Sequence, residues 1–89
     1  MLTRFAAVAA ALLAAPMALA DDDIAGDVDR GIDAYDASCV ECHARPERVM
    51  RGVEGDDEAR AEWLDDFLVD HYAEDDQDRA DIIAYLLDL

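Results

Sequence analysis

The chain has 89 residues, with 23 acidic side chains against seven basic ones and two histidines, and a formal charge of −16. All the acids follow position 20, where they meet six arginines and no lysine, so residues 21–89 carry a formal charge of −17. That balance excludes nucleic acid as a partner and direct attraction to an anionic membrane surface, and the length leaves room for one small domain.

Arg4 gives a short positive start, residues 5–15 an apolar run, and Ala18-Leu19-Ala20 a small-x-small cleavage site. Together they predict a signal peptide over residues 1–20, removed after Ala20. The alternative is an uncleaved anchor, but the run of about 11 residues is well short of the ~20 that span a bilayer. Cleavage would place residues 21–89 in an extracytoplasmic compartment, a bacterial periplasm, with no membrane insertion afterwards. Those 69 residues make a marginal core without a disulfide, a metal or a cofactor to staple it.

A first helix is predicted over residues 24–39. Asp21, Asp22 and Asp23 are available as N-caps and suit the helix dipole. Ile24, Val28, either Gly31 or Ile32, Tyr35 and Cys39 recur at helical spacing. A glycine in mid-helix costs ~1 kcal/mol relative to alanine, so Gly31 calls for a packing reason, such as the close approach of another helix.

The helix runs into "CVECH", residues 39–43. Two thiols three positions apart, with a histidine directly after the second, form the attachment signature for c-type haem. Cys39 and Cys42 would add across the two vinyl groups of the porphyrin, and His43 would be the proximal iron ligand. Three other readings use the same residues. A thioredoxin-like CxxC wants a βαβ context, and no strand pattern is present. A zinc site could draw on Cys39, Cys42, His43 and His71, but adjacent ligands at 42 and 43 would strain a tetrahedron. A Cys39–Cys42 disulfide would close too small a loop to stabilise much.

Residues 44–57 break the helical pattern at Pro46, Gly52 and Gly55, and Arg45, Arg48 and Arg51 gather there. At least one of these arginines is expected to pair with a haem propionate or a nearby acid. A second helix is predicted over residues 58–70, with Trp63, Leu64, Phe67 and Leu68 as its apolar stripe. His71 continues that stripe, four beyond Phe67 and three beyond Leu68. The last helix is predicted from Asp75 or Asp76 to the end, burying Ile82, Ile83, Leu86, Leu87 and Leu89 with Tyr85 beside them.

These features resemble the small monohaem class I cytochromes c. Gly31, Tyr35 and Cys39 match that family's glycine-x3-aromatic-x3-cysteine approach to CxxCH. "DRADIIAYLLDL" is similar to its C-terminal helix, with Tyr85 as the aromatic that packs near the glycine. "WLDDFL" is similar to the helix before its distal-ligand loop, where a tryptophan approaches a propionate, a role that would fall to Trp63. The likeness covers most of residues 24–89. It implies an all-α domain of three to four helices wrapped round one covalent haem. The chain departs from the family in two places: Pro46 lies only three residues after His43, and no methionine stands before the last helix, where the family usually has its distal ligand.

The distal ligand is then a choice between His71, Met50 and an open site. His71 is the one histidine left after His43, and it holds the family's distal-ligand position. Met50 is the one methionine after position 20 and follows His43 by only seven residues, a short tether for crossing to the opposite face of the disc. His71 follows by 28. Ligation by two histidines would give a lower potential than His/Met.

The function this implies is electron transfer by a monomeric, non-enzymatic carrier, docking on redox proteins with a basic surface. The acidity would equally serve solubility or adaptation to high salt. A haem protein with a labile sixth site, binding a gas or acting like a peroxidase, is the alternative, as is a haem subunit of a larger oxidoreductase.

Overall fold

Three of the helices begin at an aspartate whose side chain accepts a hydrogen bond from a backbone N–H two or three residues further on. In the computed structural model, which describes residues 24–89, these are α1 (Val28–Ser38, capped by Asp27), α3 (Asp57–Leu68, capped by Asp56) and α4 (Asp76–Leu87, capped by Asp75). Each cap satisfies one of the N–H groups that a helix start leaves unpaired. A short α2 (Pro46–Val49) has proline in its first turn, where a missing N–H costs nothing. A 3-10 turn follows over Met50–Gly52. The described residues are all helix and loop, with no strand.

α1 packs most extensively on α4, and Gly31 makes that approach possible. A Cβ at Gly31 would run into the carbonyl oxygen of Asp81 and stand 2.8 Å from the Cβ of Tyr85. Gly26 leaves the same kind of notch against the carbonyl of Ala80. Beside the crossing, Tyr35 and Tyr85 meet edge to face, with ring centres 5.6 Å apart. The core gathers Tyr35 from α1, Leu64 and Leu68 from α3, and Ile82, Ile83 and Leu86 from α4, closed by Val53 and Ala73 from the loops.

Two charged residues are buried in this frame. Asp81, 2 % exposed, accepts from the Asp27 backbone N–H (2.9 Å), the Arg30 guanidinium (3.0 and 3.3 Å) and the Gln77 amide (2.8 Å). The bond from Arg30 holds its carboxyl below the usual value, against the opposing effect of burial. Arg79, 8 % exposed, donates to Asp65 (2.7 Å), Asp76 (2.8 Å) and the carbonyls of Ala73 (3.0 Å) and Glu74 (3.1 Å). It thereby ties α3, α4 and the loop between them at one point.

The structure adjusts several sequence expectations. The signal peptide at 1–20 and the N-caps at 21–23 fall outside the described residues. α1 begins at Val28, four residues later than expected, because Asp27 is the cap that forms and Gly26 lies against α4 in non-helical backbone. Gly31, not Ile32, takes the inward position; Ile32 is exposed. The segment 44–57 holds α2 and the 3-10 turn rather than loop alone. α3 stops at Leu68 and α4 at Leu87, so Leu89 lies beyond the helical periodicity and is 57 % exposed.

Candidate functional site

The C-terminal end of α1 passes directly into the cysteine motif. Cys39 caps the helix, donating its N–H to the Tyr35 carbonyl at 2.8 Å. The Cys39 carbonyl then accepts from the N–H groups of Cys42 (3.2 Å) and His43 (2.8 Å). One further helical turn therefore carries both thiols and the imidazole. The Tyr35 hydroxyl donates to the His43 carbonyl at 2.6 Å, fixing the end of that turn to α1. Burial, assisted by Cys39, pushes the Tyr35 phenol up to about 12, so it remains a donor across the physiological range. Both cysteines are free thiols. Cys39 is half-buried, and burial raises its thiol pKa; Cys42 is exposed.

The facing wall comes from α3 and the turn after it. Trp63 and Phe67, one helical turn apart, stack with ring centres 5.2 Å apart and planes 10° from parallel. Phe67 in turn lies 4.7 Å from the His71 ring. His71 sits just beyond α3, its N–H donating to the Leu68 carbonyl at 2.9 Å. Trp63 is 51 % and Phe67 46 % exposed, a large apolar area for so small a chain to leave uncovered.

Between the walls lies a cavity of 630 Å³, lined from one side by Tyr35, Cys39, Cys42 and His43 and from the other by Trp63, Leu64, Phe67, Leu68, His71 and Tyr72. Ser38 and Glu41 beside the cysteine motif, Val49 of α2, and Ile82 and Leu86 of α4 complete its lining. Its size is that of a typical cofactor site. The His43 and His71 rings stand with centres 6.2 Å apart and planes inclined at 51°. A second hollow, of 660 Å³, lies between residues 24–26, α3 and α4. Its lining is mostly carboxylates and alanines, with neither histidine nor cysteine.

The residues singled out from sequence separate clearly here. Cys39, Cys42, His43, Trp63 and His71 share the one cavity, whereas Met50 packs on the core and does not line it. Arg45 and Arg48 border a hollow of 310 Å³ beside Cys42 and His43. The expected pairing of an arginine of this group with a neighbouring acid is not seen; among the described residues the ion pairs are made by Arg30, Arg60 and Arg79. No group of three or more histidine, cysteine, aspartate or glutamate side chains converges on one point among the described residues. The four zinc-ligand candidates are thus spread along the cavity rather than gathered.

Sequence reading missed two contributors. The Tyr35 hydroxyl bond was open to inference, since an aromatic one turn before Cys39 ends beside the motif. The position of Tyr72 had no signal in the sequence. No protein-family model, curated protein or solved structure matches the chain, so the chemistry of the site rests on its own geometry.

Proposed function

We propose that the chain is a periplasmic c-type cytochrome that carries electrons. One haem is bound through thioethers to Cys39 and Cys42, with His43 as proximal and His71 as distal ligand. The observation that carries this reading is the closeness of the His43 and His71 rings, 6.2 Å between centres, at a mainly apolar cavity whose lining also includes both cysteines. A metal sits ~2 Å from an imidazole nitrogen, so a shared ion would hold two opposed ring centres about 6 Å apart. His43 and His71 stand at 6.2 Å, and the residues present fit the group.

When bound, the haem supplies an iron that alternates between two oxidation states. The protein's part would be to keep the residues that hold the iron in place through the cycle. Tyr35 fixes the His43 turn, while Phe67 and the end of α3 hold His71. Leu64, Leu68, Ile82 and Leu86 keep water from the inner edge of the cavity. Trp63 and Phe67 offer broad apolar faces that a flat ring system would cover, and Trp63, at the outer end of the stack, is the candidate for a propionate contact. With His43 and His71 both holding the iron, no small molecule would need to bind for an electron to pass. The charge of −17 on residues 21–89 would favour docking on a basic partner, through long-range attraction that salt screens.

The test is production of the full chain in a bacterial host that exports proteins and attaches haem. The expected product has the mass of residues 21–89 plus one haem, and neither cysteine accepts an alkylating reagent after denaturation. Two alkylatable thiols and no added mass, in a host where a control CxxCH protein acquires its haem, would refute the proposal.

A further inference from the structure

Tyr72 has a φ of +68°, the one non-glycine residue in the left-handed region among the described residues. An aromatic side chain there brings its Cβ against the neighbouring backbone, and such strain persists where the surroundings hold it in place, most often beside a functional site. Burial does not account for the choice of tyrosine, because the residue is 78 % exposed. The turn itself is needed. It sends the chain from His71 to buried Ala73, whose carbonyl Arg79 grips at 3.0 Å. Glycine would make the same turn without strain. What tyrosine adds is its ring, which stands edge-on to His71 with centres 5.1 Å apart and planes at 75°. Phe67 is the other aromatic neighbour of that imidazole, at 4.7 Å.

We propose that Tyr72 is a positioning residue for His71. Its left-handed backbone places the ring beside the imidazole, and Tyr72 and Phe67 together hold His71 in its place near His43. The two supports differ in kind. Phe67 is set by the α3 helix, whereas Tyr72 depends on a single strained turn. This inference rests on His71 being an iron ligand, and its test separates the two claims.

The experiment uses haem-loaded protein and three variants, Tyr72→Gly, Tyr72→Phe and His71→Ala. Carbon monoxide binding to the reduced protein is followed at saturating gas, where release of the sixth ligand limits the rate. Tyr72→Gly should bind about two to ten times faster than the parent, the change expected for loss of one aromatic edge contact. Its melting midpoint should stay near the parent's, because relief of the left-handed strain opposes the added freedom of glycine in the unfolded chain. Tyr72→Phe keeps the ring and should keep the parent rate. In the oxidised state, the electron paramagnetic resonance spectrum, which responds to the angle between the two imidazole planes, should shift in Tyr72→Gly and not in Tyr72→Phe. Parent-like rate and spectrum in Tyr72→Gly, while His71→Ala binds carbon monoxide rapidly, would overturn the role of Tyr72 alone. Failure of His71→Ala to bind it would overturn the ligand assignment and the role of Tyr72 with it.

Discussion

The α1–α4 crossing and the cavity face share α1 and α4, but the cavity adds α3 and is finished differently. At the crossing, glycine notches bring backbone to backbone, and the buried carboxylate of Asp81 meets three donors. Every component there is supplied by the chain. At the cavity, two aromatic rings are half-exposed, and both cysteines and both histidines belong to a mainly apolar lining. One side is closed by backbone contact and ion pairs; the other leaves aromatic surface uncovered.

If the cavity face needs its haem, removing the attachment points should have the largest effect. Among the described residues the core is small, with eight buried apolar side chains of which Leu64 and Ile82 are the largest that are fully enclosed, too few to offset the conformational entropy of the chain. Repulsion among the excess carboxylates adds to that deficit. Cys39→Ala combined with Cys42→Ala should therefore give a largely unfolded protein by circular dichroism. A cooperative melt with native-like helicity would mean that the crossing alone sustains the fold.

The crossing can be broken separately. In haem-loaded protein, Gly31→Ala forces a methyl against the Asp81 carbonyl and should cost about 3 kcal/mol, with the helices displaced rather than a side chain rotated. A melting midpoint equal to the parent's would show that α1 and α4 do not need that approach.

Much of this frame was legible because its signals are local. The two later helices were expected over residues 58–70 and from Asp75 or Asp76 to the end, and α3 and α4 lie within two residues of those bounds. CxxCH is contiguous, and His71 falls on the stripe defined by Phe67 and Leu68. Asp81 and Arg79 were not legible. In a sequence this acidic they look like further solvated charge, and only the meeting of α4 with residues 27–30, and with Asp65 and Ala73, buries them. The left-handed turn at Tyr72 was hidden for a similar reason, since nothing in "HYAED" supplies the glycine or asparagine that usually announces one.

A smaller and pH-dependent effect sharpens the comparison. Asp81 has its carboxyl pKa held below 3.8, first by the Arg30 hydrogen bond. The stability it contributes is thus fully present above that value and is lost as pH falls through the lower folded-state value. Asp81→Asn should cost ~1–2 kcal/mol near neutrality, a difference that shrinks below about pH 4 as the parent's own carboxyl protonates. A gap between parent and variant that persists unchanged into acid would remove the charge of Asp81 from the account of the crossing.

The most direct test of the two-histidine cavity is the spectrum of the haem-loaded protein with each candidate ligand removed in turn. The parent should lack the sulfur-to-iron charge-transfer band near the red edge of the visible range, and its reduced form should bind carbon monoxide slowly. His71→Ala should open the site to rapid carbon monoxide binding, and Met50→Ala should leave the spectrum unchanged. A sulfur–iron band in the parent that Met50→Ala abolishes and His71→Ala leaves intact would contradict the assignment.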